Sequence, residues 1–177
     1  LLCPNKLAPD GWLDVHRIAH GLGVRSNATM LYGHVETVEE RVDHLLRLRS
    51  LQDETGGFLA FIPLSYHPHN TELGGHRTSG YEDLRTLAVA RVALDNFDHI
   101  KGFWIMLGLK MAQVSQAFGV DDIDGTVMEE RITHAAGAET PEALAREELV
   151  RLIHEAGRDA VERDTLYNVV REEAVSA

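Results

Sequence analysis

The run from Phe58 to Leu64 contains no polar side chain, and no other stretch narrows the possible folds as much. A segment that is apolar at every position has no solvent face. As a strand it must be covered on both sides, the condition of strands in parallel sheets flanked by helices. The order around it recurs three times: an apolar or β-branched run, a polar turn with glycine, then apolar residues at helical spacing, in repeats of about 40 residues. Such repeats imply an α/β fold, as a (βα) barrel or a doubly wound sheet, with right-handed crossovers. At most four units are present, too few for a closed eight-stranded barrel.

The first unit gathers the most polar chemistry. Ser26 to Tyr32 reads as a strand in which Asn27, Thr29 and Leu31 share one face and Ala28, Met30 and Tyr32 the other. The second face is the more apolar and is expected to meet helices; the first carries an amide and a hydroxyl and would look into a barrel. Gly33 permits a sharp turn or a close backbone approach. Thr37, or Glu36 before it, opens the next helix.

Helical spacing marks Trp12 to Leu22 after Pro9 and Asp10, and again Val38 to Leu48, ended by Gly56 and Gly57. On the second helix Asp43 and Arg47 form an attractive pair on a face read as solvated. Ser65 to Thr71 is a polar loop, extended by Gly74 and Gly75, before a helix from Tyr81 to Leu94. Ile100 to Leu107 is read as a third apolar strand ending at Gly108, followed by a helix with Met111, Val114, Ala117 and Phe118 that Gly119 stops. Val120 to Thr126 is a short strand or loop. Thr140, Pro141 and Glu142 are expected to open a helix running to about Ala156, and Arg158 to Tyr167 reads as an extended tail. This divides the chain into residues 1–137 and a C-terminal helix and tail over 138–177.

Composition removes several classes. The formal net charge of -11 opposes the clustered basic face that nucleic acid requires. No apolar run approaches the roughly 20 residues of a membrane span, and no basic segment followed by an apolar one opens the chain. The expectation is a soluble, cytoplasmic protein with neither nucleic acid nor membrane as partner. The start at Leu1-Leu2-Cys3-Pro4, in mid-pattern, reads as the cut edge of a longer protein. One cysteine, Cys3, allows neither an internal disulfide nor a cysteine cluster.

Three motifs bear on metal binding. His16 and His20 stand four apart on a helix, but Arg17 occupies the place of a zincin glutamate, so they are read as a polar flank. Asp122-Ile123-Asp124-Gly125 lacks the first and twelfth ligands of a calcium loop, Val120 and Arg131 standing there. His67-Pro68-His69 is better placed to hydrogen-bond a polar substrate than to hold a metal. Met30, Met106 and Met111 are read as core.

Several strings together resemble a known family. Thr29-Met30-Leu31-Tyr32-Gly33-His34-Val35-Glu36-Thr37, Leu51-Gln52-Asp53-Glu54-Thr55-Gly56-Gly57-Phe58 and Phe61-Ile62-Pro63-Leu64 resemble the radical S-adenosylmethionine enzymes that make futalosine intermediates and deazaflavin cofactors. Within that group, His67-Pro68-His69-Asn70-Thr71, Ile100 to Gly108 and Gly119 to Thr126 look most like the aminofutalosine synthases of menaquinone biosynthesis. The resemblance covers nearly the whole chain. It implies the C-terminal half of a TIM-type barrel with a helical extension. The other half would carry the three-cysteine loop for a 4Fe-4S cluster and would require an external electron donor. It further implies cleavage of S-adenosylmethionine and addition of the 5'-deoxyadenosyl radical to 3-[(1-carboxyvinyl)oxy]benzoate, giving 6-amino-6-deoxyfutalosine. Cyclic dehypoxanthine futalosine synthase, a deazaflavin-cofactor synthase and a non-catalytic half-barrel that binds a metabolite are the alternatives.

By the same resemblance, the positions aligned with the family's Gly-x-Ile-x-Gly-x-x-Glu segment, beside the adenine of S-adenosylmethionine, are Thr29, Leu31, Gly33 and Glu36, with Thr29 departing from glycine. Strand ends near Gly33, Ser65 and Gly108 would line the chamber. The implied substrate has two carboxylates, for which Asn27, His34, His67, Asn70, Thr71 and Arg77 are candidate partners, Thr29 again among the polar groups of that face. No metal ligand is expected in this chain.

Overall fold

The computed structural model describes residues 5–126 and 144–173. Its first helix, α1 (Pro9–Gly21), leads into β1 (Ser26–Tyr32), α2 (Val38–Thr55), β2 (Phe58–Ser65) and α3 (Gly80–Ala93). Strand β3 (His99–Ile100) is followed by two short helices, α4 (Trp104–Leu107) and α5 (Leu109–Ser115), and a 3-10 turn at Gln116–Phe118. The chain continues in α6 (Arg146–Glu155) and a hairpin of β4 (Ala160–Arg163) and β5 (Val169–Glu173).

Strands β1, β2 and β3 pair in that order in one parallel sheet, and an isolated parallel bridge joins Lys101 to Asp122 beyond β3. The alternation expected of β1 is present: Ala28, Met30 and Tyr32 are buried, while Asn27, Thr29 and Leu31 are exposed. The buried set joins Leu45, Leu48 and Leu51 of α2, Phe58 and Phe61 of β2 and Leu87 and Ala90 of α3 in one core. Leu149 of α6 belongs to the same core.

Helix α2 begins with a reciprocal cap. Thr37 Oγ1 accepts from the Glu40 N–H at 3.2 Å while the Glu40 carboxylate accepts from the Thr37 N–H at 2.7 Å, satisfying two donors that a helix start leaves unpaired. Gly56 closes it in the left-handed region at φ 59°.

Three expectations are corrected. The apolar run Ile100 to Leu107 is not one strand: extended pairing ends at Ile100, and from Trp104 the chain is helical. Short apolar runs suit a buried helical turn as well as a strand. Here the turn lets the Trp104 indole donate to the Gly125 carbonyl at 3.1 Å with its ring fully buried. Residues Arg158 to Tyr167 are not an extended tail, because β4 pairs with β5 in antiparallel register around a turn. In that turn Asp164 accepts from the N–H groups of Leu166 and Asn168 and Tyr167 takes φ 66°. The helix ending at Ala156 starts at Arg146, with Ala145 extended before it; the cap expected at Thr140 to Glu142 lies outside the described residues, as does Cys3. Among the described residues no helix is long and apolar enough to cross a membrane.

Candidate functional site

Parallel strands place their C-terminal ends, and the turns that follow, on one side of the sheet. That side holds the Gly33 to Glu36 turn after β1 and the Tyr66 to Ser79 loop after β2. Gly33 takes φ 89°, and a Cβ there would run into the Thr78 methyl of that loop. The glycine is thus required twice, by its backbone angle and by the closeness of the two turns.

Glu36 folds back onto its own turn. Its carboxylate accepts from the Gly33 N–H at 2.5 Å and the His34 N–H at 3.0 Å. Arg41 Nε donates to the same carboxylate at 2.6 Å, and Arg41 Nη2 donates to Glu82 at 2.8 Å. The guanidinium also lies over the Tyr32 ring, 5.4 Å from its centre. Burial pushes the Glu36 carboxyl up, but the backbone donors and Arg41 outweigh it, and the group sits below its ordinary range. Beneath, the Tyr32 hydroxyl donates to Asp83 at 2.8 Å; burial first, then the Asp83 charge, pushes that hydroxyl well above its ordinary value. One arginine therefore ties the turn after β1 to the first turn of α3.

The loop after β2 is braced by Tyr66, whose hydroxyl meets Thr71 Oγ1 at 2.5 Å and lies 3.2 Å from the Gly74 carbonyl. Thr71 Oγ1 donates to the Pro68 carbonyl. His67 is 4% exposed, and its Nε2 lies 3.0 Å from the Met106 carbonyl. Burial is the main reason its pKa falls below the ordinary histidine value. His34 Nδ1 stands 2.9 Å from Glu36 Oε2 and 2.6 Å from the Val35 N–H.

The structure divides the expected site residues into three groups. Gly33, His34 and Glu36 come together in the first turn, but the carboxylate of Glu36 is already occupied by protein donors. Asn27, Thr29 and Leu31 stand on the open face of β1, next to the partly buried Ile62 and Leu64 of β2, which pair with Thr29 and Leu31. His67, Asn70, Thr71 and Arg77 lie on the second loop; Arg77 is exposed and Asn70 takes φ 58°. Arg41, Glu82 and Asp83 were not singled out in the sequence. The only trace of Arg41 was its place on the charged side of α2, and its partner Glu82 is remote in the chain.

Register continues this face across the sheet to Lys101, where it is covered. Thr29 pairs with Ile62, Phe61 with Ile100, and Lys101 bridges Asp122, so Thr29, Ile62 and Lys101 occupy one cross-strand row. The Lys101 ammonium lies 3.2 Å from Asp124 and 3.9 Å from Asp122. Asp122 also accepts from Arg163 at 2.5 Å and from the Tyr167 hydroxyl at 2.6 Å, and Tyr167 stacks on His99, with ring centres 3.9 Å apart. The C-terminal hairpin is thereby fastened to the sheet at this row. Asp122 is pushed up by burial and brought below its ordinary value by Lys101, Tyr167 and Arg163.

A cluster of iron and sulfide bound through three thiolates does not fit these residues: the chain has one cysteine, and no group of three or more His, Cys, Asp or Glu among the described residues could hold a metal ion. The open face of β1 presents an amide, Asn27, and a hydroxyl, Thr29, beside apolar side chains.

The chain spans about half the length of the curated relatives it matches. Over 171 residues it is 57% identical to the aminodeoxyfutalosine synthase of Thermus thermophilus, covering 94% of this chain and 46% of that protein. The Streptomyces coelicolor protein of the same name is 45% identical over 175 residues, 92% of this chain and 45% of that one. The 5-amino-6-(D-ribitylamino)uracil–L-tyrosine 4-hydroxyphenyl transferase of Methanococcoides burtonii is 42% identical over 179 residues, 97% of this chain and 50% of that one. The family model described as the CofH/MqnC C-terminal region matches residues 55–175, and the chain belongs to that family.

Proposed function

We propose that this chain is the C-terminal, strand-supplying part of an aminodeoxyfutalosine synthase, a radical S-adenosylmethionine transferase of menaquinone biosynthesis. The observation that carries the reading is the 57% identity to the Thermus thermophilus synthase across 94% of the chain. The geometry agrees with it: a parallel sheet keeps one face open along Asn27, Thr29 and Leu31, as the inner face of half a TIM-type barrel would. In the whole enzyme S-adenosylmethionine, 3-[(1-carboxyvinyl)oxy]benzoate and water become 6-amino-6-deoxyfutalosine, methionine and bicarbonate, the last from one carboxyl of the substrate. The 4Fe-4S cluster that would activate S-adenosylmethionine is held by residues outside this chain, and its electron donor is a separate partner.

This chain's own contribution is to shape and shield the chamber. Glu36 and Arg41 hold the turn after β1 so that Thr29, Leu31 and Gly33 face the nucleoside in a fixed geometry. The second loop supplies Asn70 and Arg77 toward the substrate carboxylates, with His34 on the neighbouring turn; Thr71 gives its hydroxyl proton to the Pro68 carbonyl, and Asn27 lies at the far end of β1. A rigid wall of this kind excludes water and side reactions. The cytoplasm is the proposed compartment.

The 42% identity to the tyrosine 4-hydroxyphenyl transferase supports a second, weaker reading as a deazaflavin-cofactor enzyme. A paired assay separates them. The longer protein carrying this chain is given S-adenosylmethionine with 3-[(1-carboxyvinyl)oxy]benzoate, with dehypoxanthine futalosine, or with tyrosine and ribitylaminouracil. The proposal expects product only from the first mixture; turnover confined to either of the others sinks it.

A further inference from the structure

The His67 side chain is almost wholly enclosed, yet its Nδ1 has no hydrogen-bond partner. Its other nitrogen settles what that atom is. A carbonyl only accepts, so Nε2, 3.0 Å from the Met106 carbonyl, carries the proton. Enclosure keeps the ring neutral, and a neutral imidazole protonated on Nε2 offers at Nδ1 a bare lone pair. The atom is an acceptor without a donor, a state that is costly when buried. Arg77 and Asp83 are the charged groups acting on the ring, in opposite directions, and neither hydrogen-bonds to Nδ1.

An acceptor cannot recognise a carboxylate. The ionised dicarboxylate of the proposed reaction carries carboxylate and ether oxygens and no N–H or O–H, so it has nothing to give this atom. S-adenosylmethionine carries donors in its ribose hydroxyls, adenine amino group and ammonium. Resting on the functional reading above, we infer that His67 Nδ1 accepts a hydrogen bond from S-adenosylmethionine, which moves His67 from the substrate carboxylates to the nucleoside side of the chamber. Its Nε2–H, bound to Met106, holds the ring in place, tying the end of β2 to the α4 turn. Because Nδ1 is enclosed, the side chains that cover it must shift for the nucleoside to reach it.

Two substitutions separate the two nitrogens. Glutamine can place an N–H near the position of Nε2 and so keep the Met106 contact while losing the acceptor. Asparagine can place an oxygen near Nδ1 and lose the Met106 contact. In the longer protein, binding of S-adenosylmethionine is titrated calorimetrically. His67→Gln is expected to weaken it about tenfold, the loss of one hydrogen bond to a buried acceptor. His67→Asn is expected to keep most of the affinity and lose thermal stability. The 15N spectrum of the wild-type ring should show a neutral imidazole protonated on Nε2, with Nδ1 shifting when S-adenosylmethionine is added and not when the dicarboxylate is added. Wild-type affinity in His67→Gln, or an Nδ1 that does not respond to S-adenosylmethionine, overturns the inference and assigns the lone pair to a buried water. If the wild type binds no S-adenosylmethionine at all, the functional reading itself falls, and this inference with it.

Discussion

Arg41 Nε and Glu36 Oε1 lie 2.6 Å apart with both side chains largely enclosed, 14% and 13% exposed, and the same guanidinium reaches Glu82. The pair fixes the turn after β1 to α3. Arg41→Gln removes the shared cation and leaves two neighbouring carboxylates short of a partner. It is expected to lower the unfolding free energy by about 2 kcal/mol, measured by urea denaturation. Arg41→Lys should recover only part, because an ammonium cannot span both carboxylates in the geometry of the planar fork. Recovery to wild type by lysine would show that charge alone matters here.

Gly33→Ala meets two obstacles, the positive φ and the Thr78 methyl. A loss of roughly 1–3 kcal/mol is expected. In the double variant with Thr78→Ser the clash is relieved and the backbone cost remains, so stability should return only in part. Full return would mean that φ at Gly33 carries no strain for alanine.

Acid should loosen the joint between α1 and the sheet. Thr55 Oγ1 donates to the Leu51 carbonyl, so His20 Nδ1 must donate to Thr55. His20 Nε2 then accepts from Ser26 Oγ, and Ser26 accepts from His16 Nδ1. The chain of bonds requires a neutral His20, whose Nε2 accepts, whereas His16 donates through Nδ1 in either form and is kept neutral by its burial. Burial is the first cause that lowers both pKa values below the ordinary 6.5, with His20 adding to the effect on His16 and Arg25 to that on His20. The unfolded chain takes up protons near pH 6.5 that the folded one refuses, so stability is level above that pH and falls as pH drops from 6.5 toward the folded values. Glu36 and Asp122, whose pKa values are also lowered, withdraw their contribution only further into acid. Thermal midpoints between pH 7.5 and 5.5 should fall in the wild type and fall less in the His16→Asn, His20→Asn variant; equal slopes would refute the account of this joint.

Half-burial made β1 legible. A strand with one covered face repeats every two residues, and Ala28, Met30 and Tyr32 announce that face in the sequence. The caps at Thr37 and Gly56 were readable for the same local reason. Ile100 to Leu107 was not, since an apolar run that short fits a strand or a buried turn, and the deciding contact, Trp104 with Gly125, is tertiary. The hairpin after Ala160 was hidden because its strands are mostly charged and exposed, without a buried period to read. In the candidate site, the turn residues Gly33 and Glu36 were visible, whereas the part played by Arg41 depends on Glu82, which only the packing of α2 on α3 brings near.

The hairpin's anchorage gives a further test. Tyr167→Phe removes the hydroxyl that donates to the buried Asp122 and should cost about 1 kcal/mol, read as a shift in the urea midpoint with unchanged slope. Arg163→Leu, which takes two donors from the same carboxylate, should cost more. If neither variant moves the midpoint, the hairpin contributes nothing to holding the Lys101 to Asp122 row.

The central claim is that this chain supplies sheet and chamber wall while the cluster-binding residues lie outside it. The 177-residue chain, purified and incubated anaerobically with iron, sulfide and reductant, then given S-adenosylmethionine, provides the direct measurement: bound iron per chain together with 5'-deoxyadenosine formed. The account predicts no stoichiometric cluster and no 5'-deoxyadenosine, because one cysteine cannot provide three thiolates. A stoichiometric cluster with turnover would contradict it.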